Sequence, residues 1–269
     1  MIRSVLLVAL CCGIAATSGA QVITRSTDTA ARNKPVARVN KVKGPKPITN
    51  EVSFGLRLHS NGWSAYTDIG KVSSKDAKRS DMFYNVKFLQ VELSEMKSPR
   101  QEKFTGDESS GSGSSSYIYG KVNNMYALKL GVGLRKMIAG KPDPGSVSVH
   151  WVNVLGASLG MVKPYYINTL SDPTAIKYSD DNKDYFLDQR YIMGSAGFSK
   201  GLGEMKYVPG GHFKSAIHFD FAANRKNVLG VEAGFDAQFY SQQVMIMANQ
   251  PPTNYFVDLF IAVQLGKRW

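Results

Sequence analysis

The chain has 269 residues, 43% of them hydrophobic, and a formal net charge of +12 at pH 7. This length allows one large all-β domain or two small ones. Beyond the N-terminus no apolar run reaches the roughly 18 residues of a spanning helix, so only a closed β-barrel could place this sequence in a membrane. The excess of basic residues raises the question of whether the protein binds nucleic acid. No nucleic-acid-binding motif is present, and we expect no such partner.

Residues 1–20 have the pattern of a secretory signal peptide. Arg3 supplies the positive start, and an apolar core follows over residues 5–16. Small residues then precede the expected cleavage between Ala20 and Gln21. The sequence therefore predicts an exported protein.

Two alternatives to cleavage are less favoured by the same residues. The apolar core is short for an uncleaved membrane anchor. A lipoprotein needs a small residue before its cysteine, whereas Leu10 precedes Cys11. Because Cys11 and Cys12 both lie within the signal, we expect a mature chain without disulfides or cysteine-based metal sites.

Residues 21–49 form a basic arm. They contain seven lysines and arginines, three prolines and a single acidic residue, Asp28. Few apolar residues occur and they show no period, which indicates an extended periplasmic segment. It is either a solvated tail or an arm that docks on anionic lipid or on an acidic partner.

From residue 50 to residue 269 apolar and polar residues alternate, which predicts β-strands. Eight segments carry the pattern: 52–58, 63–69, 83–94, 126–135, 146–162, 213–221, 228–239 and 255–265. Most exceed the usual soluble strand length and suit a tilted membrane crossing. The segment 83–94 alternates less regularly, which predicts a bulge. We expect an antiparallel, up-and-down transmembrane barrel of about eight strands.

The less apolar face of these strands carries glycines and charges, as the interior of a small barrel would. Buried charges must pair, because each is costly alone. We therefore expect an interior polar network. Its predicted members are Lys129, Arg135, His218, Asp220, Glu232, Asp236 and Asp258.

The predicted connections sort by length. Short turns at one end are 72–81, 139–145 and 222–227, and the connections at the other end are 60–62, 95–124, 163–211 and 240–254. Three long loops at one end are typical of outer-membrane barrels, which have short periplasmic turns. Residues 105–116, rich in Gly and Ser, predict a flexible stretch, and 185–205 predicts a short surface helix.

The C-terminus has the pattern of a barrel-assembly signal. Alternating apolar residues lead to a terminal aromatic: Leu259, Ile261, Val263, Leu265 and Trp269. Such a strand can pair with the edge of an open barrel, a form of β-augmentation. We therefore expect the barrel-assembly machinery to be a partner during insertion, with outer-membrane lipids surrounding the finished barrel.

No residue pattern predicts a catalytic, cofactor or metal site. Asp180, Asn182 and Asp184 have the spacing of a calcium loop, but Tyr185 stands where glycine is needed and Tyr191 where glutamate is needed.

Histidines offer no better metal site. His212, His218 and Asp220 share one strand face but are spread too far along it to meet at one ion.

Four stretches carry a resemblance to a known family. They are 119–124 with 126–131, 95–100, 158–165, and Val208-Pro209-Gly210 followed by Lys214. With them the chain resembles a largely uncharacterised family of outer-membrane β-barrels of the Bacteroidota, although Ser98 stands where that family more often has His. The resemblance implies the same fold and address, and a role beside envelope machines, in outer-membrane protein assembly or in type IX secretion and gliding. It implies no catalytic residues.

Three functions follow as hypotheses. The first is a non-enzymatic structural or accessory subunit of an envelope complex, with residues 163–211 and the arm 21–49 as contact surfaces. The second is a barrel enzyme acting on lipid or peptide, which needs a histidine converging with Ser or Asp at the outer rim. The third is a small channel, which eight strands disfavour because side chains fill so narrow an interior.

Overall fold

The computed structural model describes residues 48–73, 84–105, 116–143, 145–170, 174–224 and 226–269. The signal peptide, nearly all of the basic arm and most of the Gly/Ser stretch lie outside these ranges. Among the described residues, no helix combines the length and apolar character needed to cross a membrane.

Eight antiparallel strands close into one barrel, as the alternation predicts. They are β1 (Asn50–His59), β2 (Gly62–Ser73), β3 (Asn85–Met96), β4 (Asn123–Ala139), β5 (Ser148–Pro164), β6 (Lys206–Asp220), β7 (Asn227–Val244) and β8 (Thr253–Arg268). Each strand pairs with its neighbours in the chain, and β1 pairs with β8 to complete the closure. The predicted up-and-down topology is confirmed.

The predicted bulge in 83–94 is wrong. Strand β3 pairs with both β2 and β4 without a shift of register. Its pattern looked irregular because Val86 and Phe88 point inward as apolar residues while Leu89 and Val91 point outward. Position 133 is glycine, and a Cβ there would lie 2.2 Å from the Phe88 ring, so the ring fills that space.

Strand β6 begins at Lys206, earlier than the predicted 213. Pro209, Gly210 and Gly211 hide the alternation in the sequence, yet they pair in register with β5. The third loop is correspondingly shorter than the predicted 163–211 and occupies 165–205.

The start of β1 and the C-terminal residue Trp269 lie at one end of the barrel. The amide nitrogens of Thr49 and Asn50 both donate to the carbonyl oxygen of Trp269, each at 2.9 Å. This end, called the terminal end below, also holds the end of β2, the start of β3 and the described parts of the turns after β4 and β6. The opposite, loop end holds the long connections 97–122 and 165–205.

The predicted short surface helix forms at the start of the segment 185–205, and most of the rest of that segment is not helical. The helix α1 (Lys183–Phe186) is one turn long, and short 3-10 turns lie on either side of it. Residues Ile192–Ser195 instead form a strand against Tyr166–Thr169. Gly197 and Gly201 adopt positive φ angles of 89° and 81°, a conformation that glycine adopts without strain, and Gly201 begins a short 3-10 turn at Leu202.

An apolar belt surrounds the outside of the barrel. The side chains of Leu259 and Val132 are 70% and 68% exposed in the middle of their strands. Outward positions of β8 from Tyr255 to Leu265 span ten residue steps. At about 3.3 Å per step and a tilt of about 40°, the belt is about 25 Å tall.

Candidate functional site in the barrel interior and the loop lobe

Charged side chains fill the barrel interior. Among the described residues it holds six cations, Arg57, Lys129, Arg135, Lys141, Lys214 and Arg268. It also holds seven carboxylates, Glu51, Asp68, Glu92, Asp220, Glu232, Asp236 and Asp258. All seven residues of the predicted polar network lie in this interior, His218 included.

The middle of the barrel is organised around Glu92. Its carboxylate accepts hydrogen bonds from Arg57 and, at 3.0 Å, from Lys129 Nζ. Lys129 also donates to Asp236 at 2.5 Å. Nearby Glu232 lies 3.2 Å from the Nδ1 atom of His218. Glu232 also lies 3.6 Å from Arg57, so side chains from five strands, β1, β3, β4, β6 and β7, are joined in one connected group.

A second group lies at the terminal end. Glu51 accepts hydrogen bonds from Arg135 at 2.6 Å and from Arg268 at 2.7 Å. Arg268 also donates to Asp220 at 2.7 Å, and Tyr84 donates to the same carboxylate. This group ties the last strand to the first.

Aromatic rings occupy the space between these groups. The Arg57 guanidinium lies 4.2 Å from the ring centre of Tyr66, and Lys214 Nζ lies 5.2 Å from it. Side chains therefore occupy the cross-section at this level, as expected for eight strands.

Three residues near the loop end resemble a catalytic triad. His59 Nε2 lies 3.0 Å from Ser64 Oγ, and His59 Nδ1 lies 3.8 Å from Asp258 Oδ2. Acyl transfer needs a nucleophile that a substrate can reach. Ser64 is fully buried in the barrel wall, so this group lacks the open position at the rim that the enzyme hypothesis requires.

The histidines considered from the sequence do not converge. His212 Nδ1 lies 3.1 Å from Ser158 Oγ, and His218 contacts Glu232.

The calcium-like segment is a hydrogen-bonded turn. Asn182 Oδ1 accepts from the amide of Ser179 at 2.9 Å, and its Nδ2 donates to the carbonyl of Lys177 at 2.9 Å. The Asn182 side chain thus closes the turn.

The described parts of 97–122 and 165–205 pack together above the barrel, and we call them the loop lobe. Its apolar centre consists of Tyr117, Tyr165, Ile167, Phe186 and Ile192. The two segments are joined by hydrogen bonds, from the Ile118 amide to Tyr165 Oη at 3.1 Å and from Tyr119 Oη to the Leu187 carbonyl at 2.8 Å. The long loops therefore form a small folded unit.

A lysine-rich pocket of about 400 Å³ lies between the lobe and the barrel rim. Its lining includes Lys97, Lys103, Lys121 and Lys163, with Glu95 as an acidic neighbour. Lys163 Nζ donates to the Phe198 carbonyl at 2.5 Å. Burial lowers the pKa of Lys121 to about 8.

Aromatic side chains border the apolar belt at both ends. Trp63, Tyr126, Tyr207, Phe239 and Tyr255 lie toward the loop end, and Trp151, Phe221 and Trp269 lie toward the terminal end. Two of the indoles hydrogen-bond, Trp63 to Glu95 at 2.6 Å and Trp151 to Ser215 at 2.9 Å. Amphipathic rings in this position suit the interface between lipid tails and water.

No family model matches the chain. No curated protein matches it either. Among solved structures, the chain is similar to Neisserial surface protein A, at 9% identity and a TM-score of 0.35, over 81% of this chain and 94% of that one. It is also similar to Ail, the attachment invasion locus protein of Yersinia pestis, in complex with the heparin analogue sucrose octasulfate. That likeness has 8% identity and a TM-score of 0.35, over 83% of this chain and 99% of that one.

Proposed function

We propose that the protein is an integral β-barrel of a bacterial outer membrane, inserted with its terminal end in the periplasm. The apolar belt about 25 Å tall between two aromatic bands carries this proposal, because it matches the hydrocarbon thickness that such barrels span. The signal-like residues 1–20 and the sorting of long loops to one end support the same address.

We further propose a non-enzymatic role as a structural or accessory subunit of an envelope complex. Most of the charges in the interior are paired and aromatic rings fill the space between them, which favours a role for the outer surface of the molecule. The loop lobe is folded and displays apolar side chains to solvent, among them Leu170 and Leu202. We take these exposed apolar side chains as the basis for proposing a protein contact there. Residues 163–211 and the arm 21–49 are the proposed contact surfaces.

The resemblance to the Bacteroidota family suggests which complex this is. The machineries for outer-membrane protein assembly and for type IX secretion and gliding are the two candidates. During its own insertion the chain is expected to engage the barrel-assembly machinery through β8.

Single-cysteine labelling tests the membrane orientation. The mature chain is predicted to have no cysteine, so Lys200→Cys in the loop lobe and Asp143→Cys in a terminal-end turn each introduce a unique thiol. A maleimide that cannot cross membranes should label the first on intact cells and the second only after permeabilisation. Labelling of Asp143→Cys on intact cells would reverse the proposed orientation.

Affinity purification from native membranes tests the role in a complex. A stoichiometric partner should co-purify with the wild-type chain and be lost with the double variant Leu170→Glu, Leu202→Glu. Val147→Glu changes an exposed apolar residue at the terminal end and serves as the matched control. A barrel that purifies alone, or a partner retained by the double variant, would refute contact through the lobe.

A further inference from the structure

Three buried side chains near the loop end direct polar atoms without a hydrogen-bond partner toward one another. These atoms are His59 Nδ1, Asp236 Oδ1 and both carboxylate oxygens of Asp258. One ligand atom from each residue lies within 4.8 Å of the other two. The side chains of His59 and Asp258 are 3% and 1% exposed. Leaving such atoms buried without a partner is unfavourable, so the cluster favours either a bound cation or a proton shared between the two carboxylates.

The charge balance points to a cation. Seven carboxylates face six cations in the described interior. Among the described residues, every carboxylate except that of Asp258 lies within 4 Å of a lysine or arginine, whereas the basic group within 4 Å of Asp258 is the His59 ring, with Asn61 and Asp236 as further polar neighbours. The unbalanced charge is therefore located in the cluster that has the unpartnered atoms.

Hydrogen bonds with neighbouring side chains hold the ring of His59 and the carboxylate of Asp236 in place. His59 hydrogen-bonds Ser64 through Nε2, which leaves the other ring nitrogen directed at Asp258. Asp236 receives Lys129 and Gln238 on Oδ2 at 2.5 and 3.1 Å, which leaves Oδ1 free. Supporting hydrogen bonds of this kind orient the ligands of protein metal sites.

We propose that His59, Asp236 and Asp258 bind one divalent transition-metal ion of the Zn²⁺ class. An imidazole nitrogen favours such an ion over Mg²⁺ or Ca²⁺, which prefer sets made only of oxygen ligands. Ligands about 2.1 Å from one ion lie roughly 3.5 Å apart, so these side chains close by about an ångström on binding. The 3.8 Å between His59 Nδ1 and Asp258 Oδ2 is already near that spacing.

The ion would join strands that are distant in the sequence. His59 ends β1, whereas Asp236 and Asp258 lie opposite each other on β7 and β8. A metal ion bound there would therefore link the first strand to the last strand at the loop end. Because the cluster is enclosed, the proposed role of the metal is structural.

Zinc uptake by the folded, tag-free chain in detergent tests the site. After EDTA treatment and dialysis against Zn²⁺, elemental analysis should find one zinc per barrel, and the same procedure with Ca²⁺ should leave none. His59→Gln and Asp258→Asn should weaken zinc binding at least tenfold. His212→Gln, which changes an interior histidine outside the cluster, should bind as the wild type does.

Thermal unfolding distinguishes a metal ion bound by the cluster from a proton shared between the carboxylates of Asp236 and Asp258. Zinc should raise the Tm of the wild type but not that of Asp258→Asn. In EDTA, Asp258→Asn should have the higher Tm of the two, because it removes a buried charge that has no counter-ion. Folded wild type that retains no zinc, or equal zinc retention by Asp258→Asn, would overturn the proposal. The difference between boiled and unboiled protein in gel migration shows that each variant is folded.

Discussion

The guanidinium of Arg57 and the ring of Tyr66 are stacked 4.2 Å apart in the middle of the barrel. The ring can lie there because position 55 is glycine, where a Cβ would be 2.3 Å from Tyr66 Cζ. The absence of one side chain on β1 thus makes room for a contact that joins β1 and β2.

The substitution Gly55→Ala should therefore displace Tyr66 and destabilise the barrel by about 1–3 kcal/mol, the usual cost of overpacking. Urea unfolding in lipid vesicles measures the change. Gly211→Ala is the control, because its Cβ would meet only a carbonyl oxygen at 3.5 Å. Equal effects of the two substitutions would show that the Tyr66 stack is not the cause.

Removing the charge of Glu92 should be among the most harmful changes to the interior. Glu92→Gln leaves Arg57 and Lys129 buried with one carboxylate fewer, which should cost about 3–5 kcal/mol. The same unfolding assay tests it. Glu95→Gln changes a glutamate on the outer face of the same strand, where the loss should stay below about 1 kcal/mol. Similar losses for both would contradict a central role for Glu92.

The stability cost of a charged substitution on the apolar belt should depend on how deep the substituted residue lies in the membrane. Val132→Arg lies mid-strand and should cost about 2–4 kcal/mol, whereas Ile138→Arg, near the terminal end, should cost about 0–1 kcal/mol. Unfolding from vesicles measures both. Matching costs, or no cost for Val132→Arg, would argue that lipid does not surround this face.

The substitution Trp269→Ala should lower the amount of barrel assembled in cells while leaving the stability of the folded barrel almost unchanged. The contacts of Trp269 with Thr49 and Asn50 are backbone hydrogen bonds, which the substitution leaves in place. We expect unfolding of the purified barrel to change by less than about 1 kcal/mol, in the range of exposed sites. The amount inserted in cells should fall if the assembly machinery reads the terminal aromatic. Normal insertion of the variant would show that Trp269 is not part of the barrel-assembly signal.

The loop lobe should become more stable as the pH rises. Burial lowers the pKa of Lys121 to about 8, below the value of about 10.4 for an unfolded lysine. Between these values the unfolded lobe binds more protons than the folded lobe, so stability increases with pH. A fluorophore on Lys200→Cys can follow lobe unfolding in urea at pH 7.5 and 9.5. With Lys121→Met the gain should disappear; an unchanged gain would assign it to other groups.

The barrel was predictable because most of its strands alternate between apolar outward positions and polar or small inward positions. The same alternation placed Lys129, Arg135 and Glu232 inside. It did not reveal Glu92, because β3 has apolar residues on both faces. It also did not reveal the extent of the loop lobe, since single glycines such as Gly197 and Gly201 decide its backbone.

The candidate metal cluster could not be predicted from the sequence, for a different reason. His59 and Asp258 meet only because β1 pairs with β8, and no local pattern specifies where two such distant strands place their side chains. The alternation assigns both residues to the interior face, and the closure of the barrel then sets the distance between them.

The hydrogen bond from Arg268 to Glu51 joins residues 217 positions apart in the chain. Arg268 becomes available to Glu51 only after nearly the whole barrel has been synthesised. A chain that stops before Arg268 would leave Glu51 without one of its two arginines and would shorten the pairing of β1 with the last strand. Closure of the barrel therefore depends on synthesis of the last strand to its end, and a truncated copy would expose part of the edge of β1.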